Sequence, residues 1–376
     1  MTRTHYIRHY ALSASLLLGT AFTGQSLFAQ EHQRAHVGLV YPLSTNGTRA
    51  AQISNTISLH AIAGVSAGER GAAISGLSTI IKGNQRGAVI SGLSNTISGD
   101  ATGAQIAGLI NTVGGNSRGV VVAGLINIAK SAKGAEIAGL VNVAKEQAGA
   151  QVAGLSNIAR TSGIQVAGLA NSALRNSSFQ VAGLVNTAGT ANTQVAGLIN
   201  MAKKVKGVQI AGLINIAEES NYPIGFLNFI KNGEKQIGAT IDESGNAVLA
   251  LRTGGKHTYG ILGAGYNVRM DNAPYVLEAG LGMHVRLSRI LRLNLEISNT
   301  ANTSFGHDSY YKSSFRPLLG VTLARRLEIV AGPSFNYVNY MSDLDAYRPN
   351  PVYNFFGAQS TNSLFFGGMA GIHFTL

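Results

Sequence analysis

The chain has 376 residues, a formal net charge of +12, only 12% charged residues, 47 glycines, and neither Trp nor Cys. A soluble domain carries about a quarter charged residues, so half that share points to surfaces that do not all face water. Lack of cysteine excludes disulfides, thiolate metal sites and a catalytic thiol, and Lys and Arg scattered singly through turns do not make the basic face that nucleic-acid binding needs.

In chain order, residues 1–29 read as a secretory signal peptide. Arg3 and Arg8 supply a positive start, "ALSASLLLGTAF" (11–22) an apolar run too short to cross a bilayer, and "SLFA" a small-residue exit after Ala29. This predicts export to the envelope of a Gram-negative bacterium.

Residues 30–232 are written in repeats. Ten copies align on the glycine of a Gly-Leu pair, at Gly76, Gly92, Gly108, Gly124, Gly139, Gly154, Gly168, Gly183, Gly197 and Gly212, at spacings of 14 to 16 residues. Divergent copies flank them at Gly64-Val65 and Gly225-Phe226. Ile or Val stands two before the glycine and Ala or Ser one before it. Asn stands three beyond it in nine of the ten: Asn95, Asn111, Asn127, Asn142, Asn157, Asn171, Asn186, Asn200 and Asn215, with Thr79 the exception. Charges fall between copies, in stretches such as "KSAKG" and "KKVKG", which are the turns. The strand-compatible part of each copy is too short and too β-branched for a helical hairpin, so the unit is β.

Two β architectures could use this unit. In a β-solenoid each copy is one coil, stacked in parallel on the last at about 4.8 Å, with Leu as an internal apolar ladder, Asn as an internal hydrogen-bonded ladder and Gly at the corner. In a large transmembrane barrel each copy is one antiparallel strand, with Val208, Ile210, Ile214 and Ile216 facing lipid and Gln209, Ala211, Leu213 and Asn215 facing the lumen. A one-strand repeat unit, the missing aromatic girdles and a persistent Leu favour the solenoid, roughly 50 Å long for ten or more coils.

From residue 233 to 376 the pattern changes to period-2 alternation. In "VLEAGLGMHVRLSRILRLNLEIS" (276–298) one face is continuously apolar and the other polar and charged, with a tight turn at Ser288-Arg289. Eight segments follow this plan: 235–242, 246–253, 257–267, 274–287, 290–299, 312–324, 327–339 and 363–376. Longer loops follow the third, fifth and seventh, as in an outer-membrane barrel. Eight strands enclose too little room for an aqueous pore. The inward-pointing Glu278, Arg286, Arg292, Glu296, Arg316 and Glu328 are therefore expected to form a paired lumen network. A periplasmic C-terminus then puts the repeats on the periplasmic side too. The predicted fold is all-β: an N-terminal β-solenoid of 14–16-residue coils followed by a C-terminal eight-stranded antiparallel outer-membrane-type β-barrel.

The Gly-Leu-x-Asn repeats, with the opening "GLVYPLSTNGTRA" (38–50), the exit "YPIGFLNFIKNGEK" (222–235) and the "YGILG" segment at Tyr259, resemble a family of bacterial envelope surface-repeat proteins. The resemblance covers residues from about 36 to 232 and implies repeats followed by a β-rich C-terminal part; it implies no activity and no catalytic residues.

Motifs for chemistry are lacking. There is no His-Glu-x-x-His, no Walker-type phosphate loop and no nucleophile elbow, and "GAGYNV" (263–268) lies within a predicted strand. Asp242, Glu243 and Asp308 read as solvated loop or strand-end carboxylates, and the histidines as scattered, with His284 and His373 facing the lumen. No catalytic, cofactor-binding or metal-binding residue is nominated, and no cofactor. The expectation is a non-enzymatic surface protein whose barrel contacts outer-membrane lipid and anchors a solenoid with a structural or binding role toward an envelope glycan or protein. The alternative is a transport protein in which repeats and C-terminal strands close one large barrel.

Overall fold

The computed structural model describes residues 31–305, 309–341, 352–356 and 360–376. The expected signal peptide and Asp308 lie outside the described residues. The rest folds as a β-solenoid of about 12 turns and a closed, eight-stranded antiparallel β-barrel.

Each coil runs from one Gly-Leu corner to the next and lies parallel on its neighbour. Val141–Ala153 pairs with Ser156–Ala167 in a register that sets Asn142 on Asn157 and Ala153 on Ala167. The same parallel register repeats from coil to coil, so the repeats are not strands of one large barrel. The corner demands glycine because consecutive corners lie directly on one another. A Cβ at Gly154 would land on the carbonyl oxygen of Gly139.

Alternation decides what lies inside. Going into a corner, Gln151 and Ala153 point inward; coming out of it, Asn157 and Ala159 do. The interior of a coil only 14–16 residues around is narrow, and Ala with stacked amides fills it. The expected internal leucine ladder is therefore not formed: the ten corner leucines, from Leu77 to Leu213, are 36% to 48% exposed. They sit on the outside of the bend, beside the outward Ile or Val two residues before the glycine.

The barrel strands are β1 (Lys235–Asp242), β2 (Asn246–Gly254), β3 (Thr258–Asn267), β4 (Tyr275–Arg286), β5 (Leu291–Thr303), β6 (Ser309–Ala324), β7 (Leu327–Met341) and β8 (Ser360–Thr375). Each pairs antiparallel with the next, and β1 with β8 closes the cylinder. A short strand, Tyr353–Phe356, extends the sheet beside the start of β8. Strands β5 and β6 reach further than predicted because "SNTAN" and "SYYK" look like loop, yet their polar Thr300, Asn302 and Lys312 point into the lumen.

Solenoid and barrel meet at the short-turn end. The last rung, Asn228, donates its backbone N–H to Thr253 Oγ1 (2.9 Å) and its side-chain amide to Thr253 O (3.0 Å). The β2–β3 hairpin thus supplies the next layer for the final coil.

Candidate functional site

Three polar systems are candidates: the solenoid interior, the barrel lumen and the short-turn mouth of the barrel. In the solenoid the nine predicted asparagines form one unbroken ladder. Each Nδ2 donates to the Oδ1 of the next coil, from Asn95 to Asn111 (2.9 Å) through to Asn215 and Asn228 (2.9 Å). The second Nδ2 hydrogen goes to a backbone carbonyl, as from Asn127 to Ile137 O (2.8 Å), so the buried amides are satisfied except at the first rung, where Asn95 Oδ1 has no partner. At the exception, Thr79 bonds the hydroxyls of Ser75 and Ser91 instead, both 2.8 Å.

Sequence reasoning missed a second ladder, three residues before each corner from Gly139 to Gly212. Here Nε2 donates toward the N-terminus, from Gln209 to Gln194 (3.0 Å), Gln180, Gln165 and Gln151, which ends on Glu136 Oε2 (2.7 Å). The two ladders run in opposite senses. Glu136 is the only carboxylate in this run; its other oxygen has no partner, and burial pushes its carboxyl up to about 7. The recurring Gln at that position was the available signal.

The histidines are not all far apart. The first coils set His36 edge-on to His60, ring centroids 4.4 Å apart, close to Asn55, Ser58 and a buried Glu69. Burial first, and His60 second, lower His36 to about 4, while burial raises Glu69. Residues 24 apart in sequence meet because the first coil is longer than the rest: Glu31–Val40 lies parallel on Ile53–Ser66 with Gly38 beside His60, 22 residues on.

In the lumen, Glu296 accepts from Arg252 Nε and from Tyr259 Oη, both at 3.0 Å, and Arg316 pairs with Glu278. Arg292 bridges Glu328 (2.7 Å) and Glu234 (2.8 Å). Five of the six predicted charges therefore meet partners inside, but Arg286 does not: as the last residue of β4 it is exposed at the mouth. Asp242 and Glu243, expected in water, are nearly buried and clamp Lys312 Nζ at 2.6 and 2.8 Å. His284 bonds Lys256 O (2.7 Å), and His373 lies 3.9 Å from Glu328. Arg252 and Lys312 were missed because they stand at the ends of their predicted segments, and Glu234 because it precedes the first strand.

The short-turn mouth opens into a cavity of about 1190 Å³, bordered by Lys235, Lys256, Arg286, Arg289, Arg325 and Arg326, with Glu234 and Glu328 deeper. Such a rim attracts anions. No cluster of three or more potential metal-binding side chains occurs among the described residues. No family model and no curated protein matches this chain.

Proposed function

We propose that this is a non-enzymatic outer-membrane surface protein of a Gram-negative bacterium, in which the barrel is the anchor and the solenoid the presented part. The observation that carries the reading is the inverted polarity of the barrel. Leu249, Leu277, Ile297, Leu319, Phe335 and Phe366 face outward and exposed, while the interior is crossed by ion pairs. Lipid is the solvent that suits such a wall. The apolar start of the chain and the likeness of the repeats to envelope surface-repeat proteins support the same location.

A lumen crossed by Arg252–Glu296 and Arg316–Glu278 has no room for flow, which favours an anchor over a transporter. The edge of the solenoid opposite the leucines carries exposed Lys130, Lys145 and Arg160 at successive coils and, beyond Leu174 and Gly189 in the same column, Lys203. An anionic envelope glycan, such as peptidoglycan, or an acidic protein is the partner this edge suits.

Flotation of the reconstituted full chain with liposomes after alkaline washing tests the anchor, and planar-bilayer recording tests the pore. We expect co-flotation and no steady conductance. A chain washed free of lipid overturns the membrane reading, and stable open channels replace the anchor with a transporter. For the partner, Lys130→Glu with Lys145→Glu is expected to weaken co-sedimentation with purified peptidoglycan in a salt-sensitive way.

A further inference from the structure

The leucines left outside the solenoid form a ridge with no function in the fold. Between the Ile or Val before each corner and the Asn after it no copy carries a charge, and the ten stacked corners extend about 45 Å at ~4.8 Å per coil. An exposed apolar strip of that length marks a contact surface.

The junction with the barrel says what the ridge faces. Arg252 and Tyr259 point into the lumen, so their neighbours Thr253 and Gly260, which are cross-strand partners, point outward. Asn228 bonds Thr253 Oγ1, and a Cβ on Gly260 would strike the carbonyls of Gly225 and Phe226. The last coil therefore sits on the outer wall, and the stack leaves the barrel sideways.

That coil is also oriented along the wall. Its charged-edge side touches the turn, where His257 N–H donates to Asn221 O (3.2 Å) and Thr258 Oγ1 to Pro223 O (2.7 Å). Its Gly225-Phe226 corner touches Gly260, about 8 Å further into the span for a tilted strand. Gly260 pairs with Leu281, an exposed outward residue of the apolar belt. The corner column continues that belt.

We infer that the solenoid lies along the membrane surface at the short-turn end of the barrel, with its leucine ridge seated in the headgroup and acyl boundary of that leaflet and its basic edge turned to water. This rests on the membrane reading of the barrel. Peripheral elements with one apolar face and one charged face take this position, sinking the apolar face ~5–10 Å.

The chain has no Trp, so single tryptophans report each surface in the full-length protein. Leu169→Trp and Leu198→Trp probe the ridge, Arg160→Trp the opposite edge and Ile297→Trp the outer barrel wall; all four native side chains are exposed, so the fold tolerates them. The proteins are reconstituted in phosphatidylcholine–phosphatidylglycerol vesicles with or without lipid brominated on the upper acyl chain. At interfacial depth, ridge emission is expected to fall about twofold or more with brominated lipid. The barrel tryptophan should fall too, and Arg160→Trp should not. Quenching at Ile297→Trp alone overturns the ridge and leaves the barrel reading standing. No quenching anywhere overturns both. Equal quenching at Arg160→Trp and Leu169→Trp overturns the edge-on placement. A blue-shifted ridge tryptophan insensitive to bromine reports a protein occupant, such as a second copy, and also overturns it.

Discussion

Glu136→Gln should stabilise the protein, and only where the carboxyl would otherwise ionise. Glu136 occupies a rung whose neighbours toward the C-terminus are all glutamines, and one of its oxygens is buried without a partner. A group whose folded pKa is raised, from 4.5 to about 7 here, favours the folded state fully below the lower value and loses that advantage as pH rises through the upper one. Relative to a neutral rung, the wild type then carries a penalty of about 3 kcal/mol above neutrality. The amide also gains a bond: Gln165 Nε2 donates to Ser172 O (3.3 Å), and the equivalent acceptor for residue 136 is the Val143 carbonyl. At about pH 8 the variant should melt roughly 6–12 °C above wild type, and near pH 4 the two should nearly coincide. Thermal unfolding of the full chain in detergent, followed by far-ultraviolet circular dichroism, measures this. His36 and His60 respond to acid in the opposite direction, but they are common to both proteins and cancel in the difference. The same shift at both pH values, or a lower melting point at pH 8, would refute the assignment of the buried charge.

Other substitutions test the rest of the structure. Asn157→Ala leaves the Asn142 donor and the Asn171 acceptor without their 2.9 and 3.0 Å bonds and should cost about 2–4 kcal/mol, read as lost amide-exchange protection in adjoining coils. Gly154→Ala places a methyl on the Gly139 carbonyl and should separate the two coils, abolishing cooperative unfolding of the solenoid. Leu169→Ser should change stability by no more than about 0.5 kcal/mol, against the ~2–5 kcal/mol lost when a core leucine is truncated. Glu296→Gln strips the carboxylate from buried Arg252 and should cost about 3–5 kcal/mol, seen as loss of the heat-resistant compact band on gels.

Periodicity made both halves of the fold legible. The spacing of Gly154, Gly168 and Gly183 defines coils, and Asn at a constant offset marks an inward column because an amide ladder needs every rung. Hydrophobicity misled at Leu155 and Leu169, where the usual rule that leucine goes inside fails. The coil is too narrow to hold them, and the small Ala or Ser before each glycine was the better marker of its interior. In the barrel, alternation located Glu278 and Arg316, but it could not show that Arg286 is the last residue before a turn and so reaches water. Pairings such as Lys312 with Asp242 join strands 70 residues apart, and only barrel closure brings them together.

The bond from Asn228 to Thr253 also bears on the order of assembly. A stack of parallel coils has two raw edges, each a row of unmatched amides and carbonyls able to recruit another chain. The segment over residues 41–52 folds across the first, where Asn46 Nδ2 bonds Asn55 Oδ1 at 3.0 Å. Among the described residues the second is covered by the β2–β3 hairpin, which is made after every coil. Until then the repeats carry an open end, so the speed of barrel closure sets how long that end stays open to another chain.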